Sequence, residues 1–238
     1  KFITYILASN VPEILPFVLT ALFDFPLALG VAQILAIDLG TDPLPALALG
    51  AERPEPDIMR QPPLARALRL VDRNLVGRAL WLGALETLLC YVGFFAVYAL
   101  YGRIALIGRA DSGLATAMGP FALAPDSVYQ LAATTFFVGV VMGQIGSVFS
   151  ARRELPEVHR QGWFGNHLLL AAVLFEVGLV LVLIYFEPIA TRFGAAPLPV
   201  ELWAGLILYG PILYGLERLR KGLALRLRRL NAASTPSS

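Results

Sequence analysis

Long apolar stretches separated by polar segments dominate the pattern of this chain. Six stretches approach the roughly twenty apolar residues that a helix needs to cross a bilayer. They cover roughly residues 2–23, 27–48, 77–101, 128–150, 165–186 and 200–217. The pattern predicts an all-α integral membrane bundle of six helices. The short segment "FDFP" at 23–26 predicts a tight hairpin between the first two.

Prolines and glycines interrupt the first two stretches, in "SNVPEILPF" at 9–17 and "IDLGTDPLP" at 37–45. A proline removes the hydrogen bond to the carbonyl four residues earlier, and Gly40 lets the backbone open. Irregular backbone at membrane depth is tolerated where it lines a cavity or is buried in protein. We therefore expect the second helix to be unwound at its centre.

The same two stretches carry Glu13, Asp38 and Asp42, and neither contains Lys or Arg. A charged side chain at the bilayer centre costs about 2.5–3.5 kcal/mol even on a lenient scale. Three such charges without a nearby base indicate another partner. A simple proline kink for packing explains the prolines but not the acids beside them.

The spacing of the polar residues indicates which partner. Tyr5 and Ser9 precede Glu13 at intervals of four, and Asn10 shares that helix face. Asp38 and Asp42 are also four apart. Carboxylate, amide, hydroxyl and carbonyl oxygens are the ligands of hard cations. The two helices are therefore predicted to bind a metal cation through Asn10, Glu13, Asp38 and Asp42.

Three later polar residues are weaker candidates. Gln144 and Glu176 lie in the fourth and fifth stretches and fit a cation ligand and an interhelical hydrogen bond equally well. For Glu86, in the third stretch, a structural role is favoured.

Composition agrees with a membrane protein. Hydrophobic residues make up 57% of the 238 residues, charged residues 15%, and the mean hydropathy is +0.69. The lipid bilayer is thus an expected partner. A net charge of +2 suggests no nucleic-acid partner. Cys90 is the single cysteine, which excludes an internal disulfide and a cysteine-rich metal cluster.

The basic residues predict the orientation. With six spans, 16 of the 19 Lys and Arg residues lie on one side and 3 on the other. The positive-inside rule makes the basic side cytoplasmic, so both chain ends are expected there. Residues 1–219 form the predicted membrane domain, and 220–238 a basic cytoplasmic tail whose end, "NAASTPSS", is expected to be disordered.

Three motifs carry a family resemblance. "SNVPEILPF", "QILAIDLGTDPLPALALG" and "PEPDIMRQPP" resemble the C-terminal membrane half of type II P-type cation ATPases, the family of the calcium and sodium/potassium pumps. "FFVGVVMGQIGSVFSARR" and the "LFE" of the fifth stretch look like the sodium/potassium branch. The six helices would then be the last six of ten.

The resemblance implies roles for individual residues. Asn10, Glu13, Asp38, Thr41 and Asp42 match the family's cation ligands. The following residues match positions around an additional ion site of the sodium pump: Tyr5, Ser9, Gln144 and Glu176.

Two positions depart from branches of the family. Ser147 replaces an aspartate of the sodium pump, which puts the additional site in doubt. Ser9 stands where proton/potassium pumps have a lysine, which argues against that branch.

The family's DKTGT phosphorylation motif, TGES motif and nucleotide-binding domain do not occur in these residues. The chain, which starts at Lys1, is therefore expected to be part of a longer pump and to be catalytically inactive alone. The transported cation would be calcium, or sodium and potassium, and ATP and magnesium would act in cytoplasmic domains of the N-terminal part. A plasma-membrane location and an accessory subunit would fit the family. A stand-alone channel or secondary transporter, or a non-transporting membrane scaffold, are the alternatives.

Overall fold

The computed structural model describes residues 1–23, 26–52, 72–102, 125–152 and 165–234. These residues form helices and short connections without any strand. Four helical segments are long and apolar enough to cross a membrane: Phe2–Phe23, Leu75–Tyr101, Asp126–Arg152 and His167–Tyr185. The predicted all-α membrane bundle is confirmed. The count of six spanning helices is not, because the second and sixth predicted spans are interrupted.

The first predicted span consists of two helices, α1 (Phe2–Ser9) and α2 (Val11–Phe23), with a turn at Asn10. Pro12 lies just after the turn and has no N–H with which to bond the Ala8 carbonyl. The backbone nevertheless continues in nearly the same direction, since the Asn10 N–H donates to the Ile6 carbonyl at 3.2 Å and the Asn10 carbonyl accepts from Ile14 at 3.1 Å.

The second predicted span comprises α3 (Val31–Ala36), a π-helical turn π1 (Ile37–Thr41) and α4 (Pro43–Gly50). The expected unwinding is not confirmed, because the backbone widens and stays helical. The Asp42 N–H donates to the Ile37 carbonyl, five residues back, at 2.9 Å. A π-turn inside a helix absorbs one extra residue. The connection from α2 is longer than the predicted hairpin, since α3 begins only at Val31.

The next helices are longer and more regular: α5 (Arg73–Val97), a π-helical turn π2 (Tyr98–Gly102), α6 (Pro125–Arg152) and α7 (His167–Tyr185). Side chains cap two of them. Asp72 accepts a hydrogen bond from the Leu75 N–H at 2.7 Å, and Asn166 accepts one from Leu169 at 3.0 Å. Such caps satisfy N–H groups that have no partner within the first helical turn.

The last elements are α8 (Glu187–Phe193), α9 (Val200–Leu206) and α10 (Tyr209–Ser234). Pro211 cannot bond the Ile207 carbonyl, which explains the break between α9 and α10 inside the sixth predicted span. Helix α10 continues well past residue 217. Residues 231–234, predicted to be disordered, are helical, as their alanine content favours. Residues 235–238 lie outside the described residues.

Helix α6 forms the centre of the bundle and is almost entirely buried. Its side chains Phe136, Phe137 and Val140 belong to the main apolar core. At Gly146 it meets α10 so closely that an added Cβ would approach the Gly210 backbone. Packing of this kind between small residues is typical of membrane helices.

Ion pairs gather at one end of the bundle. Glu52, after α4, lies 2.7 Å from Arg152 at the end of α6 and 4.0 Å from Lys1. Glu217 of α10 lies 3.2 Å from Arg78 at the start of α5. The first group brings together the residue before α1, the segment after α4 and the end of α6. The second joins the start of α5 to α10.

Several predictions fall outside the described residues. They include most of the segment 49–76 between the second and third predicted spans, residues 103–124 between the third and fourth, and residues 153–164 between the fourth and fifth.

Candidate cation site

Three carboxylates meet where the first two predicted spans are interrupted. Glu13 lies in the first turn of α2, Asp38 in π1, and Asp42 directly before α4. One oxygen from each lies within 4.8 Å of the other two. Glu13 and Asp42 are both 4% exposed, whereas Asp38 is exposed.

Two hydroxyl groups of α1 hold the carboxylate of Asp42. Ser9 Oγ donates a hydrogen bond to Asp42 Oδ2 at 2.6 Å, and Tyr5 Oη donates to Oδ1 at 3.2 Å. Tyr5, Ser9 and Asp42 are all buried. The predicted face that carries Tyr5 and Ser9 therefore positions an acid of the other interrupted helix.

The remaining two predicted ligands of this site donate to their own helices. Asn10 Nδ2 donates to the Ile6 carbonyl at 2.7 Å, and Thr41 Oγ1 to the Ile37 carbonyl at 3.2 Å. Thr41 is fully buried, and Asn10 is partly buried. Both lie beside the carboxylates in sequence, but these hydrogen bonds do not join them to the carboxylates.

The oxygen-only donor set fits a hard cation. Glu13 Oε1 is buried and has no hydrogen-bond partner among the described residues. A buried carboxylate oxygen in that state is costly unless a cation or a proton satisfies it.

Close packing surrounds the carboxylates. Gly83 of α5 lies against Val11 and the Ala8 carbonyl, and a Cβ there would come within 2.6 Å of that oxygen. On the other side, Gly40 of π1 packs against Leu179 of α7, 2.7 Å from an added Cβ. Glycines thus allow two neighbouring helices to approach the interrupted segments.

The other predicted site residues lie on α6 and α7. Gln144 is fully buried and Glu176 is 1% exposed, and neither side chain has a hydrogen-bond partner among the described residues. Ser147 donates from Oγ to Glu86 Oε2 at 3.1 Å. Sequence reasoning assigned Glu86 a structural role. The only sequence signal for another role of Glu86 was the presence of an acid in a predicted span. Its contact with Ser147 of α6 could not be predicted from the sequence.

Comparisons with known proteins agree with this architecture. The profile of the family described as "Cation transporting ATPase, C-terminus" matches residues 26–223. The sodium/potassium-transporting ATPase subunit alpha-2 of Gallus gallus is 32% identical over 93% of this chain. The subunit alpha-B of Artemia franciscana is 30% identical over 95%. The potassium-transporting ATPase alpha chain 2 of Oryctolagus cuniculus is 29% identical over 95%.

The described helices define an all-α membrane domain. The family match covers most of the chain, and the chain belongs to the cation-transporting ATPases as their C-terminal membrane part. The predicted resemblance to P-type cation ATPases is thereby confirmed. The chain spans less than a quarter of the length of these relatives, 23% for the Gallus gallus protein and 24% for the Artemia franciscana protein.

Proposed function

We propose that this chain is the cation-binding and translocation domain of an ATP-driven cation pump, with Glu13, Asp38 and Asp42 as ligands of the transported cation. The observation that carries the proposal is the meeting of three carboxylate oxygens within 4.8 Å, two of them on buried residues. Family membership supports it and does not favour the channel or scaffold alternatives.

The energetics of burial favour a cation as the common partner of these acids. Each charge costs about 2.5–3.5 kcal/mol at the bilayer centre, and mutual repulsion adds to this cost. A cation bound among the three oxygens offsets both terms. Cation binding also gives the interruptions of the first two predicted spans a role. Broken membrane helices can offer backbone carbonyl oxygens as additional cation ligands.

The neighbouring polar residues receive supporting roles. Tyr5 and Ser9 orient the Asp42 carboxylate through the hydrogen bonds described above. Asn10 and Thr41 are further ligands. To bind the cation, their side chains give up the hydrogen bonds that they donate to carbonyls of their own helices. Gln144 and Glu176 contribute to an additional cation position.

In the whole pump, phosphorylation by ATP with magnesium would take place in cytoplasmic domains outside these residues. The 238 residues alone are then catalytically inactive. The transported ions are sodium and potassium, by analogy with the names of the relatives, or calcium. The pump would reside in the plasma membrane with both ends of this chain cytoplasmic. The word "subunit" in those names suggests an accessory subunit as partner.

The test is Asp42→Asn in the full-length pump. The shape of the side chain is kept, but a hard cation loses one charged ligand. We expect a loss of about 2 kcal/mol, which corresponds to about thirtyfold weaker half-saturation. The measurement is cation-dependent phosphorylation from ATP across sodium, potassium and calcium.

Asp126→Asn is the matched control, because Asp126 is exposed in the first turn of α6. It should leave every half-saturating concentration unchanged. If Asp42→Asn, Asp38→Asn and Glu13→Gln behave like this control for all three cations, the three acids are not ligands and the proposal fails.

A further inference from the structure

A second group of buried polar atoms lies on α5, α6 and α7. These atoms have no hydrogen-bond partner among the described residues: Glu86 Oε1, Gln144 Oε1 and Nε2, and Glu176 Oε1 and Oε2. The three residues are at most 1% exposed. Buried polar groups are nearly always hydrogen-bonded, so a cluster of exceptions needs an explanation.

The packing of α6 aims Glu86 at this group. Ser147 of α6 donates to Glu86 Oε2 at 3.1 Å, which leaves Oε1 without a partner. Gly143 makes room for the side chain, since a Cβ at that position would lie 2.7 Å from Glu86 Cγ and 2.9 Å from Cδ. Gln144 is three residues before Ser147 and shares its helix face.

The charges around Glu86 have the same sign. Its carboxyl lies within electrostatic range of Asp42 and Glu13, and Glu176 lies within range of Glu86 and Asp42. A role as interhelical hydrogen-bond acceptor accounts for Oε2 alone. It does not account for placing Oε1 among other acids in a fully buried position.

We propose that Glu86 is a cation ligand. It supplies a carboxylate oxygen to a second cation position, shared with Glu176 and Gln144 and adjacent to the position formed by Glu13, Asp38 and Asp42. The inference rests on the proposed function. The available donors are carboxylate and amide oxygens, so the occupant is a hard cation of the class that the pump transports. Ser147 positions the Glu86 carboxylate and leaves its other oxygen for the cation.

The test compares Glu86→Gln and Thr87→Val in the full-length pump. Thr87 is the neighbouring buried residue, and its hydroxyl donates to the Gly83 carbonyl of its own helix. The first readout is half-saturation of phosphorylation by sodium, potassium and calcium. The second is the number of radiolabelled cations bound per phosphorylation site. Glu86→Gln should raise one half-saturating concentration at least about tenfold and lower the number bound by one, whereas Thr87→Val should change neither.

Two further variants separate a ligand from a packing residue. Gly143→Ala keeps the carboxylate but displaces it, and it should reproduce the loss of one bound cation. Ser147→Ala removes the hydrogen bond that positions the carboxylate but keeps its charge and the space at Gly143. It should retain the bound number and raise the half-saturating concentration less than Glu86→Gln does. If Glu86→Gln does not fold, Gly143→Ala and Glu86→Asp provide the same comparison.

The outcomes distinguish this inference from the proposed function. If Glu86→Gln and Gly143→Ala bind the wild-type number of cations with unchanged half-saturation while Asp42→Asn is impaired, Glu86 is not a ligand and the proposed function stands. If Asp42→Asn, Asp38→Asn and Glu13→Gln are all unimpaired as well, the proposed function itself is wrong, and the inference falls with it.

Discussion

At the scale of single residues, small side chains determine how closely the helices pack around the acids. Gly83, Gly143 and Gly40 each lie where an added Cβ would be within 3 Å of a neighbour. The sequence predicted which acids matter by their cost in a membrane, and the structure brings Glu13, Asp38 and Asp42 together. Their role as ligands stays a prediction. The significance of Gly83 and Gly143 could not be predicted, because close approach depends on the partner helix.

Gly83→Ala tests this packing. The new methyl group would meet Val11 and the Ala8 carbonyl, and backbone cannot move aside as a flexible side chain can. We expect a loss of stability of about 1–3 kcal/mol, as for overpacking in a core. Unfolding of the purified protein in mixed detergent micelles measures it.

Gly77→Ala in the same helix is the control, because nothing lies within 4 Å of a Cβ there. Alanine is a better helix former than glycine, so this variant should be neutral or slightly more stable. Equal effects of the two substitutions would show that α5 does not approach α1 and α2 this closely.

At the scale of elements, sequence reasoning located the apolar helices and the interruptions but not the form of the interruptions. Prolines predicted breaks in the first two spans, and both are interrupted. The π-turn at Ile37–Thr41 could not be predicted, because the prolines and glycine of this segment favour an unwound and a widened helix alike. Pro211 likewise carried a signal for the break between α9 and α10 that the apolar pattern concealed.

The ion pairs of Glu217 join elements that are far apart in sequence. Its carboxylate lies 2.7 Å from Arg220 and 3.2 Å from Arg78 of α5, and Lys221 Nζ donates to the Ser150 carbonyl of α6 at 2.9 Å. Glu217→Gln leaves this buried cluster with excess positive charge. We expect a loss of about 3 kcal/mol, the low end for breaking a buried pair, because Arg220 is 35% exposed.

The same unfolding measurement applies to Glu217→Gln. Glu201→Gln is its control, since Glu201 is exposed at the start of α9 and its loss should cost less than about 1 kcal/mol. Equal stability of the two variants would mean that the Glu217 cluster does not hold α5 to α10.

At the scale of the whole molecule, the distribution of basic residues and the ion pairs together predict how the helix bundle is oriented in the membrane. Lys1, Glu52 and Arg152 meet at one end, and Arg78 meets Glu217. Contacts alone do not assign that end to a side of the membrane. The excess of 16 basic residues over 3 predicts that this end faces the cytoplasm.

Reporter tags test the orientation. Tags at residue 60, at residue 155 and at the C-terminus should all be protected from reagents added outside intact cells. A tag near residue 112 should react, because the few basic residues nearby favour translocation. Reaction of the tag at residue 155 from outside would contradict the arrangement.

The central position of α6 has a consequence for biogenesis. The ribosome completes α6 before it makes α7, α9 and α10, which later cover it. Until then the face at Gly146 lacks the Gly210 backbone of α10, which packs against it. During synthesis there is therefore a period in which α6 is incompletely enclosed by other helices. A ribosome stalled before Tyr209 would leave that surface open to lipid and to quality-control proteases until α10 covers it.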